Sequence, residues 1–394
     1  MSKKIYYLDN ASTTPPTSEV RLDIDTFLRK YWYNPSSNYE QGHKVKLAIN
    51  HAREQIADYV GGGFAPEEIH FCSTGSESDN LAIQGYFKAN KDCKTLITTP
   101  YEHSALNNLI PYLKEQGITV KIIPVDKNGI IDLDKYYDVV SAYNEHYEKV
   151  LVSVMLANNE TGSRNPVALL GENIKHPQLV TIHTDISQFI SHGCTEEHLN
   201  GVDMFSFTGH KLNVPRGVAV LGIRNSVKLE PLIYGGQQEG GLIPGTENQA
   251  FIMALGNQCE RLRKKGCEKP DKERFCRQVF INKIESELKD CDVQMDCNVD
   301  LDKTVPDILS VRFEGLDNNT LLSVLAEHGV LCSKASACES FSKQRSYTLK
   351  AIGLTDEQVD SSLRFSFSDL NTISEVICGA DIVAKSVKYL AKMR

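Results

Sequence analysis

Residues 179–211 read LVTIHTDISQFISHGCTEEHLNGVDMFSFTGHK and contain two short β-rich runs, Leu179–Thr184 and Asp203–Phe207. Each run is followed at once by groups able to do chemistry. Asp185, with Gln188 three residues later, follows the first, and Thr208-Gly209-His210-Lys211 follows the second. The chain between them is long enough for a helical connection, so the pair fits two neighbouring strand ends of one sheet. In such sheets ligands collect just beyond the carboxyl ends of the strands.

Five more runs extend the pattern outward: Ile69–Cys72, Thr95–Thr99, Thr119–Ile123, Val150–Leu156 and Val218–Ile223. Most are apolar nearly throughout, as strands buried on both faces are. Segments such as Glu77–Lys91 and Ser104–Gln116 lie between them and are long enough for helices. The expected fold class is α/β, with a mainly parallel seven-stranded sheet covered by helices. The texture changes after about residue 255. A charged helical stretch, Gln258–Asp290, precedes the run Ile308–Phe313, a polar loop around Ser333–Arg345, the alternating strand Ser362–Ser368 and a final helix, Thr372–Met393. This reads as a smaller α+β C-terminal domain. Residues 15–257 are expected to form the large domain, and residues 1–14 with 258–394 the small one.

The length of 394 residues suits two domains. Hydrophobic residues at 41% and charged residues at 24% are ordinary for a globular protein, which argues against disorder or a fibre. A net charge of −8 argues against a nucleic-acid partner, which calls for a basic face. No run approaches the roughly 18 apolar residues of a membrane helix, and the start, MSKKIYYLDN, turns polar at once. A cytoplasmic location and no membrane partner are expected. The eleven cysteines are odd in number and include no Cys-x-x-Cys pair. Cys291/Cys297 and Cys332/Cys338 fit no zinc-knuckle spacing, so reduced thiols and no metal site are expected.

After Ile69–Cys72 comes Ser73-Thr74-Gly75-Ser76-Glu77, leading into a helical run. The glycine permits a tight turn, and free N–H groups with the Ser76 hydroxyl can hold an anion. Thr74-x-x-Glu77 reads equally as an ordinary capping box. An anion cradle, then an acid, then a lysine, each beyond its own strand, is the set of parts that a pyridoxal phosphate enzyme needs. The lysine makes the Schiff base, and the carboxylate keeps the pyridinium nitrogen protonated.

Eight short motifs then occur in one order. They are Tyr7-Leu8-Asp9-Asn10-Ala11-Ser12-Thr13-Thr14-Pro15, Asn34-Pro35-Ser36-Ser37, Glu77-Ser78-Asp79-Asn80, Glu102-His103, Asn158-Asn159-Glu160-Thr161-Gly162, Gly209-His210-Lys211, Gly245-Thr246-Glu247-Asn248 and Ser336-Ala337-Cys338. Together they resemble the cysteine desulfurases, class V members of the fold-type I pyridoxal phosphate enzymes, from about Ile5 to about Leu390.

The resemblance implies roles. Lys211 would be the Schiff-base lysine and Asp185 the pyridinium partner. Gln188 would reach the cofactor's phenolic oxygen, and His103 would stack on the ring and assist proton transfer. Gly75, Ser76, Thr208 and His210 would hold the phosphate, with Thr246 reaching in from the partner subunit of a homodimer. Asn159 would contact both cofactor and substrate, and Ala11 and Arg364 would belong to the substrate site. Arg364 alternates onto the polar face of its strand, where a guanidinium can grip a carboxylate in two-pronged fashion; a surface ion pair is the other reading. Cys338 would be the sulfur acceptor. It sits in a polar, small-residue segment suited to an exposed loop, whose basic residues would favour the thiolate. Cys332 is its rival, read as a core thiol.

Some positions depart from the family pattern. Tyr39 stands where a histidine is usual, as in selenocysteine lyases. Gly240 and Ile243 stand where arginines are usual, which would leave that segment less tightly held. Val214 and Ala335 replace glycines, and the long C-terminal tail of some relatives is expected to be absent. The implied activity is conversion of L-cysteine to L-alanine, with sulfur passing to an enzyme persulfide and on to an acceptor protein for iron–sulfur clusters or thiolation. A selenocysteine lyase acting on L-selenocysteine, a class V aminotransferase and a degenerate, non-catalytic binding relative are the alternatives.

Overall fold

The computed structural model describes residues 4–193, 196–334 and 345–393. Its largest element is a seven-stranded sheet built from β2 (Ile69–Cys72), β3 (Thr95–Thr98), β4 (Thr119–Ile122), β5 (Val150–Ser153), β6 (Val180–Asp185), β7 (Met204–Thr208) and β8 (Ala219–Ile223). The spatial order is β2-β8-β7-β6-β5-β3-β4, and only β8 runs against its neighbours. The apolar runs therefore form the mainly parallel sheet that their composition predicts. Strands β3, β5, β7 and β8 are buried along their whole length. Edge strand β4 is not: Ile122 is exposed, and Lys121 leaves a charge on the open edge.

Val150–Leu156 is a strand only to Ser153, because the chain then turns across the carboxyl end of the sheet. The charged stretch expected as one helix over 258–290 is two, Gln249–Lys265 and Glu268–Leu288. Gly266, at a left-handed φ of 53°, ends the first. That first helix packs on Glu40–Val60 and Ser18–Lys30, and its Ile252, Leu255 and Cys259 belong to the core beneath the large sheet.

A second core gathers around Phe280, Phe365, Phe367 and the helix Ile373–Ala391. It holds a three-stranded sheet, order β12-β10-β9, of Ser362–Ser366, Ile308–Arg312 and Asp296–Cys297. The N-terminal β1 (Tyr6–Tyr7) pairs in parallel with β11 (Val330–Leu331), and Leu8 lies in this second core. Asn10 and Ala11 continue along β12, with the Ala11 N–H donating to Ser366 Oγ at 2.8 Å. Residues 6–12 thus cross from one core to the cavity described below.

A cluster of buried charges fixes the helix Glu268–Leu288 against the large sheet's loops. His192 lies 3.0 Å from Asp307 Oδ1 through Nε2 and 3.2 Å from Glu273 Oε2 through Nδ1, and Lys269 also binds Glu273. Burial opposes the imidazolium, but Asp307 and Glu273 outweigh it and raise the His192 pKa. A raised folded-state value means that the stabilisation is complete below the unfolded value, near pH 6.5, and fades as pH rises through the folded one. Between pH 6 and 9 the protein should lose thermal stability more steeply than His192→Gln, as scanning calorimetry can measure. Equal slopes would remove His192 as the cause. Lys269→Met should cost about 3–5 kcal/mol, since it strands a buried carboxylate.

Candidate active site

A cavity of about 270 Å³ opens beyond the carboxyl ends of β2, β6 and β7. Asp185 ends β6 and Thr208 ends β7, so the parallel pairing of these neighbours sets Asp185 beside the turn that carries His210 and Lys211. All four line the cavity, together with Gln188. Asp185 Oδ1 accepts the Ser187 N–H at 2.8 Å. The Gln188 amide donates to Ala11 O at 3.0 Å, and Lys211 Nζ donates to Ala11 O and to Ser12 O. Ala11 is therefore part of the wall through its backbone.

On the opposite wall, β2 leads into the helix Gly75–Asn80. Thr74 caps it, accepting the Glu77 N–H at 3.1 Å, while Glu77 accepts the Ser73 N–H at 2.6 Å. Thr74 is the cap that the sequence predicts, but Glu77 returns to Ser73 and not to Thr74, so the reciprocal box is not formed, and the cradle stays intact. The first-turn N–H groups of Gly75 and Ser76 have no intrahelical acceptor by geometry, and both residues face the cavity. Across from a glycine Cα, Thr208 Cβ sits 3.5 Å from where a Gly75 Cβ would lie, so the two walls approach closely here.

His103 caps the next helix, its Nδ1 accepting the Ala105 N–H at 3.2 Å. Burial lowers its pKa, and the ring is then neutral with its proton on Nε2. His210 is held neutral as well, its pKa brought down to about 3 by burial and then by Lys211 and Arg216. Beneath His103, burial pushes Glu102 up to about 8. Its side chain accepts from Thr99 Oγ1 at 2.6 Å and from Met155 N at 2.9 Å, tying together the ends of β3 and β5.

Arg364 departs from one of the two sequence readings of its surroundings. All five residues of β12 are buried, and Arg364 is only 1% exposed, so it is not in a surface pair; its polar surroundings are buried ones. Its guanidinium donates to Asp9 Oδ1 at 3.0 Å, Ser12 Oγ at 2.6 Å and the backbone oxygen of Asn159, while Nε has no partner. Asn159 and Arg364 both reach the cavity wall.

The cavity thus gathers Ala11, Gly75, Ser76, His103, Asn159, Asp185, Gln188, Thr208, His210, Lys211 and Arg364. Thr246 is exposed and lies outside it. Cys338, with Ala335, falls outside the described residues. Both flanks of that segment are fixed beside the cavity, however. Ser333 pairs with Arg364 through backbone hydrogen bonds of 2.8 and 3.2 Å, and after the segment Ser346 Oγ binds Glu160 and Tyr347 OH donates to Glu102 O. Arg345 is engaged by Asp356 and Asp360, so its charge is already offset. Cys332 packs against the second core, and burial raises its thiol.

Sequence reasoning missed Asp9 and Ser12 as partners of Arg364, and Asp79 and Arg216 as cavity residues. The signal for Asp9, Ser12 and Asp79 was their place inside recognised motifs. Arg216 gave none beyond following the lysine turn.

The donor set fits pyridoxal 5'-phosphate: one amine, one carboxylate on the adjacent strand end, a neutral imidazole, and a cradle of N–H and hydroxyl groups facing them.

Residues 6–377 match the aminotransferase class-V family. The chain is 34% identical over 394 residues to cysteine desulfurase IscS of Clostridium botulinum (strain Hall), covering all of this chain and 96% of that one. Among solved structures it is similar to a NifS-like protein (TM-score 0.86, 29% identity, covering 98% of this chain and 100% of that one). It is also similar to SspA in complex with cysteine (TM-score 0.78, 29% identity, covering 93% and 100%).

Because the buried Glu102 carboxyl is held as the neutral acid below about pH 8, Glu102→Gln should keep the fold within about 1 kcal/mol. Glu102→Ala should cost about 2–3 kcal/mol by leaving Thr99 and the Met155 N–H unpaired. Denaturant melts at pH 7 check both. A Gln variant as damaged as Ala would show that the charge is required.

Proposed function

We propose that this chain, which belongs to the class-V aminotransferase family, is a pyridoxal phosphate-dependent cysteine desulfurase converting L-cysteine to L-alanine and passing the sulfur to Cys338 as a persulfide. The observation that carries the reading is one cavity in which Lys211, Asp185 and the buried guanidinium of Arg364 converge. Lys211 would hold the cofactor covalently, Asp185 its ring nitrogen, His103 and Asn159 its ring, Gln188 its phenolic oxygen, and Gly75, Ser76, Thr208 and His210 its phosphate. When bound, the cofactor supplies an electron sink for the bonds at the substrate α-carbon.

The remaining work belongs to the chain. The Arg364 guanidinium, preset by Asp9 and Ser12, binds the substrate carboxylate and orients the amino acid against the wall formed by Ala11. Lys211, once displaced from the cofactor, is the amine placed to take and return a proton. Neutral His103, with its proton on Nε2, can donate at a second position. The Cys338 thiolate attacks the substrate sulfur. The Cβ–S bond breaks, its electrons stay with carbon, and Cβ takes a proton to leave L-alanine. The flanking anchors at Ser333 and Ser346 support a segment that works at this cavity. The persulfide sulfur would then pass to an acceptor protein.

Exposure of Thr246 supports a homodimer in which this residue reaches the partner subunit's cavity. The domain division at residues 15–257 is part of the same reading. Among the described residues no helix is long and apolar enough to cross a membrane, and we place the enzyme in the cytoplasm. Tyr39, exposed and stacked edge-on to Tyr33, is the observation that keeps selenocysteine lyase as the second reading. Turnover of both amino acids decides between them.

Borohydride reduction of the holoenzyme should leave a phosphopyridoxyl group on Lys211, and on no other lysine, by peptide mapping. A label elsewhere overturns the assignment. Cys338→Ala should bind cofactor and L-cysteine yet form almost no alanine, and mass spectrometry after a cysteine pulse should find the parent's persulfide on Cys338; a persulfide on Cys332 would refute the assignment. Arg364→Lys should raise KM for L-cysteine about 10- to 100-fold while cofactor loading is unchanged, because a two-pronged, charge-assisted contact is replaced by a single one.

A further inference from the structure

The floor of the cavity holds a second carboxylate that the roles above leave unused. Asp79, on the helix Gly75–Asn80, is 5% exposed and lines the cavity together with Asp185. Its Oδ1 has no hydrogen-bond partner. The nearest basic group is His183 Nε2, at 3.8 Å. His183 lies two residues before Asp185 on β6, hence on the same face, and its two nitrogens are spoken for by hydroxyls: Nδ1 with Ser153 Oγ and Nε2 with Ser206 Oγ, each at 2.9 Å.

We propose that Asp79 is a positioning residue held as the neutral carboxylic acid, and that with Ser206, His183 and Ser153 it forms a buried, uncharged polar layer that keeps Asp185 the single anion on the cavity floor. The inference rests on the pyridoxal phosphate reading, since Asp185 acts there on the ring nitrogen. Geometry says which acid keeps the proton. Asp185 sits half-buried at its strand end and its Oδ1 accepts the Ser187 N–H. Asp79 is deeper and its Oδ1 accepts nothing; the Ser206 hydroxyl is the one neighbour that favours its anion, against burial, Asp185 and Glu102. The titratable groups facing it are Asp185 and His183 from β6, Glu102 from the turn after β3 and Cys72 from β2, and none is a cation. Burial raises Asp79, with Asp185 adding to it, and burial brings His183 down to about 4. Two carboxylates in one such floor do not both ionise. A charged Asp79 would share the ring nitrogen's proton with Asp185 and weaken its hold.

The test compares parent, Asp79→Asn, Asp79→Ser and Asp185→Asn holoenzymes. The infrared difference spectrum of parent minus Asp79→Asn at pH 7 should contain the C=O stretch of a protonated carboxyl. The pH midpoint of the visible cofactor band should stay within about half a unit in Asp79→Asn, whereas Asp185→Asn should move it by about a unit or more. Asp79→Ser, smaller and also neutral, serves the same comparison should the amide not fold. Absence of the carboxyl band, or a midpoint shift in the neutral variants as large as that of Asp185→Asn, would overturn the proposal. A protein without any lysine-bound cofactor band would instead refute the cofactor reading, while the infrared band would still report on Asp79.

Discussion

One buried guanidinium holds the site together. Arg364 belongs to the three-stranded sheet of the second core, yet its partners come from the N-terminal segment (Asp9, Ser12) and from the turn after β5 (Asn159). Three segments far apart in sequence therefore meet on one cation, and a cation that is 1% exposed tolerates no loss of partners. The same contact fixes the path of residues 9–12, whose backbone oxygens receive Gln188 and Lys211. Lys211 and Asp185 come from the large sheet, but the wall that they face is set by the small one.

Charge is distributed unevenly around this cavity, and the distribution follows burial. Asp9 pairs with Arg364 at 3.0 Å, and Asp185 lies on the cavity floor with a backbone donor. Glu102, His183 and His210, deeper or cation-flanked, are pushed toward their neutral forms. A site that must stabilise both a substrate carboxylate and a phosphate gains from having few competing charges at fixed positions. The helix Gly75–Asn80 illustrates how the fold reconciles local and global needs. Its cap consumes Thr74 and Glu77 and leaves the next N–H groups to the cavity.

Much of this was legible in the sequence, because buried parallel strands need continuous apolar runs and ligand groups follow their ends. Asp185 and Lys211 could be read that way before any resemblance was invoked. The order of eight motifs carried the rest of the cavity wall. What could not be read depends on contacts distant in sequence. Alternation in β12 put Arg364 on a polar face, but the burial of that face depends on Asp9 and Ser12, about 350 residues away. Asp79 was quoted inside a motif with no role, since only the packing of its helix over β7 and β8 brings it to Asp185 and Ser206. The break at Gly266 was missed because the charged pattern runs across it unbroken.

The segment 235–246 shows how a departure from a family pattern can be structurally complete. Glu239 adopts a left-handed φ of 49°, a backbone state that costs an L-residue about 1–2 kcal/mol. Its carboxylate grips Arg53 with both oxygens, at 2.5 and 2.8 Å, and accepts the Phe71 N–H at 3.0 Å, so charge-assisted bonds offset that cost from within the same chain. Gly240 follows at φ 68°, where any side chain would be strained although the space beyond its Cα is open. Ile243, partly buried, packs against an apolar cluster that includes Leu81, Tyr86 and Leu221. The segment is anchored inward by Glu239 and Ile243, its backbone at 240 is one that favours glycine, and Thr246 is left at the surface. The chain thus anchors this segment from within itself at the positions where the resemblance led to an expectation of arginines.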